Sequence, residues 1–138
     1  MTVNSGNIRP GWDEYFLGIA KAVAARGECV RSRVGAVLVI NRRIVATGYN
    51  GVPAGERSCL DGACPRARNT VPRGTLYDGP GRCIATHAEI NAIDDYETRV
   101  GLLAPGATMY LTKEPCEVCE PILTVTYGLR VVWEDDTR

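Results

Sequence analysis

Histidine is nearly missing from this 138-residue sequence: His87 is the single one. No metal site in the chain can therefore draw on more than one imidazole. Long apolar runs are missing too. The longest, "VGAVLVI", is strand-sized, far below the roughly 18 residues that span a bilayer. The opening "MTVNSGNIRPGW" lacks the basic and apolar regions of a signal peptide, which predicts a cytoplasmic protein with no membrane partner. Net charge is absent as well, with 16 basic residues against 16 acidic. That balance argues against a duplex nucleic-acid partner held by phosphate neutralisation. Lysine is scarce, and the basic residues are almost all arginine. Arginine suits bidentate recognition of phosphate or carboxylate, though codon usage could produce the same bias.

What remains is ordinary globular composition, 45% hydrophobic, in a length that suits one domain spanning 1–138. The 6 cysteines (29, 59, 64, 83, 116 and 119) are many for a reducing compartment. There, clustered cysteines serve as metal ligands or catalytic groups more often than as disulfides.

Trp12, Phe16, Ile19, Ala20 and Val23 recur at helical spacing, so 12–26 reads as an amphipathic helix stopped by Gly27. "VGAVLVI" (34–40) and "IVATGYN" (44–50), joined by "NRR", read as an antiparallel hairpin. A Gly-, Pro- and Arg-rich stretch over 51–82 shows no periodicity, and inserts of that length need a function or something that holds them. "THAEINAIDDY" predicts a helix with Thr86 as N-cap and Glu89 completing a capping box. "ATMYLT" (107–112) is a strand, "CEVCEPILTVTY" a helix entered after Pro115, and "LRVVWE" (129–134) a last strand. Pro121 falls inside that last helix, where proline breaks or kinks the chain. The order α-β-β-α-β-α-β predicts an α/β sandwich, with helices around a mixed central sheet.

"PCEVC" (115–119) places two thiols on one helical turn, so Cys116 and Cys119 can reach one metal ion. Alone, such a pair is equally a redox dithiol. With His87 it makes three protein ligands, leaving the fourth tetrahedral position of zinc open for water, as catalytic sites require. Glu89, two residues past the histidine, is placed to shuttle protons beside the metal. The competing readings are a hydrogen-bonded lone histidine and a glutamate spent on the helix cap. His-x-Glu followed by Pro-Cys-x-x-Cys matches a known signature of zinc-dependent nucleobase deaminases.

On "HAEINAI" and "PCEVC", joined by "CVRSRVGAVLV" (29–39), "ATGYNGVPAG" (46–55) and "GATMYLT" (106–112), the chain resembles the cytidine and deoxycytidylate deaminase superfamily. "VGAV", "GYNG" and the cysteine-bearing insert narrow the resemblance to its dCMP-type branch. The resemblance implies a cytidine-deaminase-like three-layer α/β/α sandwich and a small-molecule nucleotide substrate. It implies zinc on His87, Cys116 and Cys119 activating water for attack on C4 of cytosine, with Glu89 carrying the proton. It implies a substrate contact at Asn50, whose other reading is a turn-forming residue before Gly51. Arg31, at a position often arginine in relatives, and Arg33 are candidate partners of a 5′-phosphate, against the reading of solvated arginines at a turn. Some relatives hold a second zinc at the positions of Cys29 and Cys59. With no spare histidine, Cys64 and Cys83 would complete that structural site, unless all four are free thiols in apolar packing. A homo-oligomer is implied by the same resemblance.

The rival readings are a deaminase of the same superfamily acting on a nucleoside, free base, modified pyrimidine or single-stranded nucleic acid, and a non-catalytic zinc-binding module. Neutral charge counts against a polynucleotide, which needs a positive groove. Glu89 counts against a structural zinc module, whose metal would normally close with a fourth protein ligand.

Overall fold

A computed structural model of the chain describes residues 9–27, 33–51 and 87–134. Helix α1 runs Trp12–Ala24 and ends in a tight turn in which Gly27 N–H donates to the Ala24 carbonyl at 2.9 Å. At its other end Gly11 N–H donates to Glu14 Oε1 at 3.2 Å. Strands β1 (Gly35–Ile40) and β2 (Arg43–Tyr49) form the expected antiparallel hairpin. Its turn is two residues, Asn41 and Arg42, both at positive φ (52 and 62). Two such residues match the right-handed twist of the strands they join.

Helix α2 runs Ala88–Arg99, with His87 as its N-cap in an extended conformation. The predicted capping box is therefore corrected: Glu89 lies second in the helix, not third from a Thr86 cap. Strand β3 is Thr108–Leu111 and strand β4 is Arg130–Trp133. Between them the predicted helix over 116–127 is broken up. A short α-helical piece, α3 (Cys119–Pro121), passes into π-helical turns over Ile122–Thr126. Pro121 supplies no N–H for the ladder, and beyond it Tyr127 N–H reaches back to the Ile122 carbonyl at 3.1 Å.

The sheet order is β2-β1-β3-β4, with β1 antiparallel to both neighbours and β3 parallel to β4. Alternation along β1 sends Val37 and Val39 to one face, where they meet Phe16 and Ala20 of α1 and Tyr110. Ala36 and Leu38 go to the other face, against Ala88, Ala92 and Ile93 of α2 and Leu123 of the π-helical segment. Helices thus cover both faces of a mixed sheet, which is the predicted three-layer α/β/α sandwich. None of the helices among the described residues is long and apolar enough to cross a membrane.

Two glycines let the helices lie directly on the strands. A Cβ at Gly35 would overlap the Ala20 carbonyl and Ala24 amide of α1, and a Cβ at Gly48 the Ala88 carbonyl and Ala92 amide of α2. Backbone rests on backbone at both places.

Candidate metal centre

His87 is the N-cap of α2, Cys119 is the first residue of α3, and Cys116 lies three residues before it. The sheet brings these two segments together because α2 packs on β2 and β1, while the segment to Cys116 continues from β3. The strand ends are locked around Val34, just before β1, and Gly35, its first residue. Val34 N–H donates to Asn50 Oδ1 at 2.9 Å, and Asn50 N–H donates back to the Val34 carbonyl at 3.3 Å. Gly35 N–H donates to Thr112 Oγ1 at 3.1 Å, and Thr112 N–H returns to the Gly35 carbonyl at 3.2 Å. Asn50 and Thr112 are both buried. Each directly follows a strand, β2 or β3, so the Val34–Gly35 dipeptide registers both strand ends.

His87 Nδ1 lies 3.3 Å from Cys119 Sγ and 3.7 Å from Cys116 Sγ. All three donor atoms fall within 4.8 Å of one another. A tetrahedral zinc with ordinary Zn–N and Zn–S bonds sets such N···S edges at about 3.5 Å. The spacing fits that metal. Cys116 and Cys119 are both thiols, not a disulfide. Burial pushes the Cys119 thiol far above its usual pKa, and the charges of Glu89 and Cys116 add to that. A thiol in such surroundings ionises only beside a cation, which a bound divalent metal supplies. The Cys119 N–H also points at Cys116 Sγ, at 3.4 Å.

Glu89 is 4% exposed on the inner face of α2. Its charge acts on Cys119, so the carboxyl lies close to the cluster without belonging to the three-donor set. Burial raises its pKa above the usual carboxylate range, against a smaller opposite effect of its own backbone amide. A carboxyl so placed keeps its proton to higher pH than an exposed one.

The other predicted site residues divide. Asn50 sits at the end of β2 with its Oδ1 committed to Val34. Arg33 Nη1 donates to the Ala25 carbonyl at 3.2 Å, closing the C-terminal end of α1. Arg31 and all of Cys29, Cys59, Cys64 and Cys83 lie outside the described residues, as does most of the 51–82 insert. Two residues of the site went unpredicted. Thr112 carried no local signal. Asn91 carried a weak one, since it stands four residues after His87 and so one turn above it.

Residues 10–134 match the model of the cytidine and deoxycytidylate deaminase zinc-binding region. The chain is 48% identical over 131 residues to the deoxycytidylate deaminase of Mycobacterium phage D29, covering 94% of this chain and 98% of that one. It is 39% identical over 123 residues to the deoxycytidylate deaminase of Schizosaccharomyces pombe, covering 88% of this chain but 36% of that longer protein. Among solved structures, the dCMP deaminase of cyanophage S-TIM5 in complex with dCMP and dUMP superposes with a TM-score of 0.67 at 25% identity, over 92% of this chain and 83% of that one.

Proposed function

We infer the activity from one premise: this chain belongs to the cytidine and deoxycytidylate deaminase family. Its reaction is hydrolytic deamination of dCMP to dUMP and ammonia. The observation that carries this reading is the three-donor cluster of His87, Cys116 and Cys119, with the buried Glu89 beside it, in a chain so similar to the phage D29 enzyme over nearly the whole length of both. Three protein ligands leave a tetrahedral metal one open position, as a catalytic site needs.

His87, Cys116 and Cys119 would hold the zinc, which when bound would supply an activated water for attack at C4 of the cytosine ring. Glu89 would accept the proton of the attacking water and pass it to N3, then carry the proton of the new C4 hydroxyl to the departing amine, which leaves as ammonia. Burial of Glu89 keeps bulk water from competing for that proton. Asn50, at the end of β2, presents its amide edge to the nucleotide while its Oδ1 anchors the strand. Arg31 is the candidate for the 5′-phosphate. Arg33 supports that role less, because its guanidinium already serves the end of α1. A second, structural zinc on Cys29, Cys59, Cys64 and Cys83, assembly as a homo-oligomer and a cytoplasmic location complete the proposal.

The test is a substrate panel of dCMP, CMP, deoxycytidine, cytosine and guanine, scored by ammonia release. Preference for dCMP supports the reading. Preference for deoxycytidine or a free base would move the chain to another branch of the family, and no turnover of any of them would leave a zinc-binding module. Zinc per chain, measured without added metal, settles the second site. Two ions, one of them lost in Cys64→Ser, support it, and one ion in fully active protein removes it.

A further inference from the structure

Among the described residues β2 is an edge strand, and the carbonyls on its outer side have no strand partner there. The register makes Tyr49 one of these. Its partner Gly35 turns both backbone groups toward Thr112, and so the Tyr49 carbonyl points away from β1. A second outward carbonyl, Val45, lies where the β1–β2 register slips: Leu38 pairs with Ala46 and Val39 with Ile44, so Val45 has no partner. Helix α2 supplies a donor to each. Asn91 Nδ2 donates to the Tyr49 carbonyl at 2.8 Å, and Arg99 Nη2 to the Val45 carbonyl at 2.6 Å.

The two clamps differ in where they act. Arg99 stands at the far end of α2 and is exposed, with its guanidinium also bound to Asp95. Asn91 is one turn from the N-cap, and its own N–H donates to the His87 carbonyl at 3.0 Å. It therefore links the histidine of the metal cluster, through one backbone bond and one side-chain bond, to the residue preceding Asn50. Between these bonds the Ala88 and Ala92 backbone lies against Gly48. Glu89 rides on the same turn.

We propose that Asn91 is a positioning residue for the metal centre: it sets the first turn of α2, with His87 and Glu89, in register with the substrate-facing end of β2. The inference rests on the proposed dCMP deaminase activity for its catalytic consequence, and on geometry alone for its consequence at the metal. Losing the contact removes no ligand and no proton carrier. It frees the first turn to shift, and misplacement of reacting groups by about 1 Å costs roughly 100-fold in rate. Groups that orient ligands typically matter by about 10- to 100-fold in metal affinity or activity.

The experiment compares Asn91→Asp, Asn91→Ala and Arg99→Ala with the parent protein. Asp is nearly isosteric with Asn but offers no donor when ionised. Three quantities are read: the rate at which a chelator strips zinc, kcat and KM on dCMP, and the unfolding midpoint. Both Asn91 variants are expected to release zinc about tenfold faster or more and to lose about 10- to 100-fold in kcat, with KM changed less. Arg99→Ala is expected to lower the unfolding midpoint while leaving zinc release and kcat near parent values. Parent-like zinc release and kcat in Asn91→Asp would overturn the proposal, as would loss of folding in both Asn91 variants, since Asn91 would then hold the fold rather than the site. Absence of dCMP turnover in the parent would overturn the activity instead, and zinc release would still judge Asn91.

Discussion

Asn50 and Val34 hold each other twice, through Val34 N–H to Asn50 Oδ1 at 2.9 Å and Asn50 N–H to the Val34 carbonyl at 3.3 Å. The side chain replaces one rung of the ladder where β2 leaves the sheet. Its structural and substrate roles can be separated by chemistry. Asn50→Asp keeps an oxygen acceptor for Val34 and loses the amide donor, whereas Asn50→Leu leaves a part-buried N–H unpaired. We expect Asn50→Leu to lose about 1–3 kcal/mol of stability. Asn50→Asp should lose dCMP turnover well beyond any loss it shows in denaturant unfolding. Equal activity in Asn50→Asp and the parent would confine Asn50 to the strand end.

Gly48 and Gly35 allow a second comparison. An alanine at either position drives a Cβ into helix backbone, at Gly48 into α2 and at Gly35 into α1. Overpacking of this kind costs about 1–3 kcal/mol or more. Only α2 carries His87 and Glu89. Gly48→Ala should therefore lose zinc affinity and kcat beyond its loss of stability, while Gly35→Ala should lose mainly stability. Matching profiles for the two variants would show that helix position is not what limits the site.

Much of this arrangement was legible in the sequence. The apolar spacing of Trp12, Phe16 and Ala20 placed α1, and the alternation of "VGAVLVI" placed the hairpin, because helix and strand periods are local properties. His87, Cys116 and Cys119 were found from motif chemistry, since three donors with one open position constrain residue type and spacing together. The rest depended on tertiary register. Asn91 binds the Tyr49 carbonyl, which the β1–β2 register turns away from β1, and Thr112 binds Gly35, which is 77 residues away in sequence. The bond from Arg33 to the Ala25 carbonyl was not legible either, because it depends on how the residue before β1 lies against the end of α1. The π-helical segment after Pro121 was anticipated as a break, but not in its form.

Asp13 supplies a pH-dependent element away from the metal. Arg130 binds both of its oxygens, at 3.2 and 2.8 Å, and Tyr110 Oη donates to it at 2.7 Å, tying α1 to β3 and β4. The Arg130 hydrogen bonds, then that of Tyr110, hold the Asp13 carboxyl below its ordinary pKa. A depressed carboxyl contributes stability that is complete above the unfolded-state value of about 3.9 and is lost as pH falls through the lower folded value. The pair is half-exposed, so solvent limits the contribution to about 1 kcal/mol or less. Asp13→Asn should destabilise the protein at neutral pH and flatten the decline in stability below about pH 4. An unchanged acid limb in chemical unfolding would exclude Asp13 from it.

Glu89→Gln tests the proton carrier. Glutamine fills the same buried volume on α2 and cannot exchange a proton. Zinc content should match the parent, and dCMP turnover should fall by about 100- to 10,000-fold. Turnover within a fewfold of the parent would assign Glu89 to packing.

The most direct measurement is zinc titration of chelator-stripped protein, followed by dUMP formation from dCMP. The account expects no turnover in the stripped protein, recovery in proportion to zinc retained at His87, Cys116 and Cys119, and no recovery in Cys116→Ser or Cys119→Ser. Full dUMP formation by protein shown to be free of metal, or none by zinc-loaded protein, would contradict it.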